Sequence, residues 1–228
     1  DALGTLIDVE ASAIRVPLSR TRITEAALVL IDAEGLDALS MRKLGASLGV
    51  EAMSLYNHVR NKDDLLGALS DDLFAQILAR YESTVQAGDT WQDRARAIAH
   101  AYWDIAHAHP NAFPLVSSKP VDTIHGLLTL ARCVEIFVDA GLSTTDASAA
   151  FHVAAGWMIG TISQESLLMG RLGEPGRFTH ADVPDALRGI IDFREKFLAQ
   201  PADLRFAEGL EIVLAGIEGR LAARRVQS

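Results

Sequence analysis

Residues 40–62, SMRKLGASLGVEAMSLYNHVRNK, constrain the fold more than any other stretch, because a single glycine separates two short runs of helical periodicity. Ser40 is a good N-cap, and Leu44 and Leu48 follow at helical spacing, so one face of the first run is apolar. Gly49 ends that run, since a residue without Cβ turns the chain through positive φ at no steric cost. Val50 plugs the corner, and a second helix is expected to start near Glu51 and to be held down by Leu55 and Val59. The outward set is then Ala52, Met53, Ser54, Tyr56, Asn57 and His58, small or hydrogen-bonding groups with no carboxylate among them. The spacing predicts a helix-turn-helix, and duplex DNA is the first partner to consider.

Helical periodicity continues on both sides, and no segment alternates as a half-buried strand does. Before the glycine turn, a helix is expected from Thr21 or Arg22 to Glu34, with Ile23, Ala26, Ala27, Leu30 and Ile31 on one face and Gly35 as its stop. After it, Asp63 or Lys62 opens a helix to about Tyr81. Further helices are expected at 90–109, 121–140, 143–170, 183–199 and 201–224, with a loop and short turn at 114–120 and a glycine-rich loop at 170–176. One of them carries Phe151, Ala155, Met158, Ile162, Glu165 and Met169 in a single stripe, so the Glu165 carboxylate needs a partner or water. The last places Leu210, Val213, Leu214, Ile217 and Leu221 along a seam. The fold class is all-α, with an arm at 1–18, a three-helix head at 19–66 and a larger helical body at 67–228.

The net charge of −9 looks unsuited to a polyanion until it is divided along the chain. Residues 15–62 hold seven Lys/Arg against five Asp/Glu, so the acidity lies in the first 14 residues and the body. A mildly basic head on an acidic body orients the molecule on DNA and limits nonspecific binding. The single cysteine, Cys133, excludes an internal disulfide and reads as a packed thiol, which fits a cytoplasmic setting. No apolar run approaches the roughly 20 residues of a membrane span, so no membrane partner is expected. The sequence has no Gly-x-Ser-x-Gly elbow, phosphate-binding glycine loop or Cys-x-x-Cys pair, and an enzyme is not expected.

The run Leu55-Tyr56-Asn57-His58-Val59-Arg60-Asn61-Lys62 resembles the end of the helix-turn-helix in the tetracycline-repressor (TetR) family of transcriptional regulators. The likeness extends through residues 23–28, 34–36 and 65–69, and more weakly through 89–93 and 209–218, which resemble the ligand-binding half of the tetracycline repressor. The resemblance implies base contacts by Arg42, by Ala52, Met53 and Ser54, and by Asn57, with Tyr56, His58 and Lys62 on phosphates. Arg15, Arg20 and Arg22 are candidates for reaching the DNA backbone or minor groove. It also implies a homodimer built through the two late helices, an inverted-repeat operator and a small-molecule inducer that releases the repressor. Other readings of the same chain are a helical ligand-binding or interaction module without operator binding, and a ligand-insensitive or activating regulator.

For the inducer, a pocket is expected among His100, Trp103, His107, Phe113, Leu115, Ser117, Phe151, Trp157, Met158, Gln164 and Glu165, aromatic, sulfur and polar groups of the kind that line such sites. The tetracycline repressor holds magnesium with histidine, whereas the aligned positions here are Leu115 and Trp157, and only Glu165 keeps its family identity. The expected inducer is therefore hydrophobic or aromatic, with no metal and no cofactor. His107 and His109, two apart on a helix, point away from each other and make no metal site.

Overall fold

The computed structural model describes residues 17–118, 120–169 and 180–225. The described regular structure is ten α-helices, α1 (Arg20–Glu34), α2 (Met41–Leu48), α3 (Ala52–Leu55), α4 (Lys62–Thr84), α5 (Trp91–Ala108), α6 (Pro114–Ser117), α7 (Ile124–Asp139), α8 (Thr144–Met169), α9 (Asp185–Ala199) and α10 (Ala202–Arg225), and two 3-10 turns at Leu36–Ala38 and His180–Asp182. Among the described residues there is no strand. The chain forms two compact units, the first ending at Leu66 and the second starting at Gly67. Arg15 and the glycine-rich segment 170–176 lie outside the described residues.

In the first unit α1 and α2 begin at serine side-chain caps. The Ser19 hydroxyl accepts from the Arg22 amide and the Ser40 hydroxyl from the Lys43 amide, each at 3.2 Å. Gly35 closes α1 with φ 90°, and Gly49 closes α2 in the left-handed region with φ 69° and ψ 32°. Ile23, Ala27 and Ile31 of α1 are buried together with Leu39, Leu44, Leu55, Val59 and Leu65. The expected second helix of the motif is shorter than its periodicity suggests. Only Ala52–Leu55 is α-helical, and the chain then tightens to i→i+3 bonds as the Tyr56, Asn57 and His58 amides donate to Met53, Ser54 and Leu55.

The second unit packs α7 on α5 and α8, and α10 on α5 and α8. α5 starts with a reciprocal capping box, in which the Thr90 hydroxyl accepts from the Asp93 amide and the Asp93 carboxylate from the Thr90 amide. The core takes Ile98, Ile105, Ile136, Phe137, Ile162, Phe206, Leu210 and Leu214. Helix α9 contributes only Ile191 to it, leaving Leu187, Ile190 and Phe193 half exposed or more. On α8 and α10, Val153 (57%) and Ile212 (74%) likewise remain exposed.

Candidate nucleic-acid interface and ligand cavity

The glycine turn brings α2 and α3 into backbone contact. A Cβ on Gly45 would lie 2.9 Å from the Val50 carbonyl oxygen and 3.1 Å from the Ala52 amide nitrogen, so only glycine lets α3 seat this closely. With Leu55 and Val59 buried beneath it, α3 and its following turn present Met53 (74% exposed), Tyr56 and Asn57 to solvent. Ala52, Ser54 and His58 are half-buried beside them, and Arg42 is exposed on α2. The Lys62 ammonium donates one hydrogen bond to the Leu39 carbonyl at 2.7 Å, which ties the start of α4 to the segment entering α2 and leaves its other N–H groups available. Arg20 has a structural partner. Its guanidinium donates to both Asp64 oxygens, at 3.0 and 3.3 Å, and to the His58 carbonyl. With Arg20 first, and the Arg60 amide and side chain adding to it, the Asp64 carboxyl is held well below the usual carboxylate range. This pairing departs from the expectation that Arg20 reaches toward DNA.

In the second unit, Ala95, Ile98, Ala99 and Tyr102 lie one helical face apart on α5 and line a cavity. Cys133, Ile136 and Phe137 of α7, Phe151, Ala154, Ala155, Trp157 and Met158 of α8, and Leu210 and Leu214 of α10 complete it. Its volume is about 50 Å³, against the roughly 150 Å³ of an apolar cavity that admits benzene. The lining has no charged side chain. Burial pushes the Cys133 thiol up to about 12 and the Tyr102 phenol well above its ordinary value, so both stay protonated at neutral pH.

Two family models match the chain. One, for bacterial regulatory proteins of the tetR family, covers residues 23–69, and the other, for the tetracyclin repressor-like C-terminal domain, covers residues 85–221. The chain belongs to the TetR family. Such proteins are DNA-binding transcriptional regulators and not enzymes. A relative described as an HTH-type transcriptional regulator of Saccharopolyspora erythraea is 30% identical over 210 residues, 88% of this chain and 84% of its own length. The tetracycline repressor of class A from transposon 1721 of Escherichia coli is 30% identical over 219 residues, 92% of this chain and 95% of its own. The fold matches that of the Streptomyces coelicolor TetR-family protein ActR, solved in complex with actinorhodin, with a TM-score of 0.70 at 24% identity over 90% of this chain and 98% of that one.

Within this TetR-family body the residues named from sequence for a pocket do not all meet. Phe151, Trp157 and Met158 line the cavity. His100, Trp103 and His107 share a face of α5, and none of the three lines the cavity. Trp103 stacks on Phe206 at 4.3 Å and meets the His107 ring at a tilt, 4.1 Å away, and the His100 and Phe206 rings meet edge to face at 5.7 Å. Phe113 and Leu115 are core residues, and the Leu115 carbonyl accepts from the buried Ser70 hydroxyl at 3.1 Å. The Ser117 hydroxyl donates to the Phe113 carbonyl, and Gln164 is exposed. The partner that Glu165 requires is Arg205. Its Nε and Nη2 donate to the two carboxylate oxygens at 3.1 and 2.6 Å, with both side chains nearly buried. Arg205 also donates to the Phe197 and Gln200 carbonyls and stacks over the Phe197 ring. Glu165 is thereby engaged within the fold, which removes it as a free polar anchor.

Three residues escaped the sequence reading. Phe206, fully buried between Trp103 and Trp157, looks like any apolar residue of a late helix. Gly209 allows the Trp157 indole to press on α10, since a Cβ there would fall 2.6 Å from the ring. Tyr102 is one position from Trp103 and reads as exposed only if the helix is phased on the histidines. Among the described residues no group of three His, Cys, Asp or Glu is placed to hold a metal, and no helix is long and apolar enough to cross a membrane.

Proposed function

We propose that this chain is a ligand-responsive transcriptional repressor that binds an inverted-repeat operator in the cytoplasm as a homodimer and is released by a small hydrophobic or aromatic inducer. The observation that carries the reading is the exposed edge formed by Arg42, Met53, Tyr56 and Asn57 on a glycine-turned helix pair, with no carboxylate in its centre. Arg42 reaches guanine O6 and N7, Asn57 pairs with adenine N6 and N7, and Ala52, Met53 and Ser54 lie against base edges. Tyr56, His58 and the free N–H groups of Lys62 hold phosphates. Because one short reading helix makes few contacts, useful affinity needs two copies about 34 Å apart in successive major grooves. The exposed Val153 and Ile212 on α8 and α10 support a second copy packing on that face, as the family likeness suggests. The inducer enters the cavity lined by Trp157 and Met158, and its binding displaces α4, so that the two heads no longer match the grooves.

The test is a nuclease footprint on the DNA upstream of the chain's own gene, at two salt concentrations. A protected palindrome whose affinity falls with salt is expected. Absence of any protected inverted repeat overturns the reading, because an electrostatic and base-specific interface predicts both features.

A further inference from the structure

The first turn of α7 is fastened to α4 by one carboxylate. Asp71 of α4 accepts from the His125 amide through Oδ1 at 2.8 Å and pairs with the His125 ring nitrogen Nδ1 through Oδ2 at 2.9 Å. The ring hydrogen is assigned to Nδ1, because an ionised carboxylate only accepts. The Thr123 hydroxyl, on the N-cap residue of α7, adds a third contact. Partial burial raises the Asp71 carboxyl, but the His125 and Thr123 contacts outweigh it and hold the group below its ordinary value, so it is charged at neutral pH. The amide it takes is one of those at a helix start that have no partner within the helix, and its charge meets the positive end of α7. Gly126 keeps the two helices close, since a Cβ there would lie 3.1 Å from the Phe74 ring of α4.

Other polar contacts of α4 are placed less well to follow the cavity. The Ser70 hydroxyl reaches the Leu115 carbonyl of α6, but no α6 residue lines the cavity. Arg80 pairs with Asp104 of α5, and Glu82 with Arg132 of α7 at 4.0 Å, and both are exposed ion pairs that constrain position weakly. At Asp71, by contrast, α4 grips a helix whose Cys133, Ile136 and Phe137 form one wall of the cavity. We propose, resting on the reading above that a guest in the cavity displaces α4, that Asp71 is the positioning residue through which α7 carries that displacement. When the cavity fills, α7 moves outward, and the Asp71 carboxylate, bonded to both the backbone and the ring of His125, draws α4 with it. α4 is one helix from Lys62 to Thr84, so a shift imposed at Asp71 reaches its start.

A side chain stands in for the guest in the test. Ala155→Leu adds three carbons to a closed space of about 50 Å³, so the walls must yield. Band-shift titrations of the full chain on the palindrome located by the footprint are expected to show operator binding weakened about five- to tenfold by Ala155→Leu. In the Asp71→Ala background the same substitution is expected to cost less than about twofold. Asp71→Asn is expected to keep the full response, because its oxygen still accepts from the His125 amide and its NH2 donates to the other ring tautomer. Should either variant lose its helical signal, Ala99→Leu on the α5 wall or His125→Ala replaces it, with the same expectations. Independent effects of Ala155→Leu and Asp71→Ala, as a merely structural Asp71 gives, or loss of the response in Asp71→Asn, overturn the assignment while leaving the cavity reading standing. Unchanged operator binding by Ala155→Leu alone overturns both, and absence of a palindrome overturns the regulator reading beneath them.

Discussion

Gly45 shows how one missing methyl group positions a reading helix. The atoms a Cβ would strike, the Val50 oxygen and the Ala52 nitrogen and Cα, are all backbone, so no side chain can rotate away to make room. Gly45→Ala is expected to destabilise the head by about 1–3 kcal/mol, as overpacking does, and to weaken operator binding; urea unfolding and a band-shift titration read the two effects. Arg205 is the corresponding residue in the body. Arg205→Met leaves the Glu165 carboxylate buried without its partner, and a stability loss of about 3–5 kcal/mol is expected. Replacing both residues, as Glu165→Leu with Arg205→Met, recovers most of that loss, since the net worth of a buried pair over an apolar one is small. Thermal unfolding of the single and double variants distinguishes this from an ordinary loss of packing, in which the second substitution would add to the first.

At the scale of the element, the helices of the head are held less by their own length than by what fastens their ends. α3 has four residues and cannot stand alone; it stays in place because Leu55 and Val59 are buried and Gly45 admits its backbone. The start of α1 is clasped to the start of α4 through Arg20 and Asp64. Because the folded Asp64 carboxyl sits below its unfolded value of about 4, its contribution is complete above that pH and is lost as the pH falls toward the folded value. Asp64→Asn is therefore expected to lower the unfolding temperature at neutral pH, with the gap to the unaltered protein narrowing on acidification below about pH 4. A melting series over that range checks it, and a gap independent of pH would show that the charge contributes nothing. The caps of these helices were legible in sequence, since Ser40 and Gly49 act locally. The short α3 was not, because Tyr56, Asn57 and His58 keep helical spacing while the backbone tightens to three-residue turns.

For the whole molecule, the decisive question is how the exposed apolar residues of α8 and α10 are covered. Val153 and Ile212 are both more than half exposed and border one apolar recess between α8 and α10. The proposed homodimer predicts that Ile212→Glu shifts the sedimentation profile toward monomer and abolishes cooperative occupation of the proposed half-sites, while the helical signal stays unchanged. A variant that remains dimeric places the contact elsewhere. The proposed ligand response also belongs to this scale, because the cavity draws residues from four helices between Ala95 and Leu214.

Local chemistry written in the sequence determined the all-helical class, the glycine turn, the helix caps and the family, because periodicity, N-caps and positive-φ glycines act within a few residues of one another. Tertiary packing alone decided which face of α5 meets the cavity. Trp103 and His100 turn toward Phe206, more than 90 residues later in the chain, and Tyr102 is among the α5 residues that line the cavity. It likewise decided that Glu165 belongs to Arg205 and that Arg20 belongs to Asp64. Two amphipathic phases on one helix are nearly equivalent in isolation, and a charge has no partner until the chain returns to it, so neither choice exists before the helices pack.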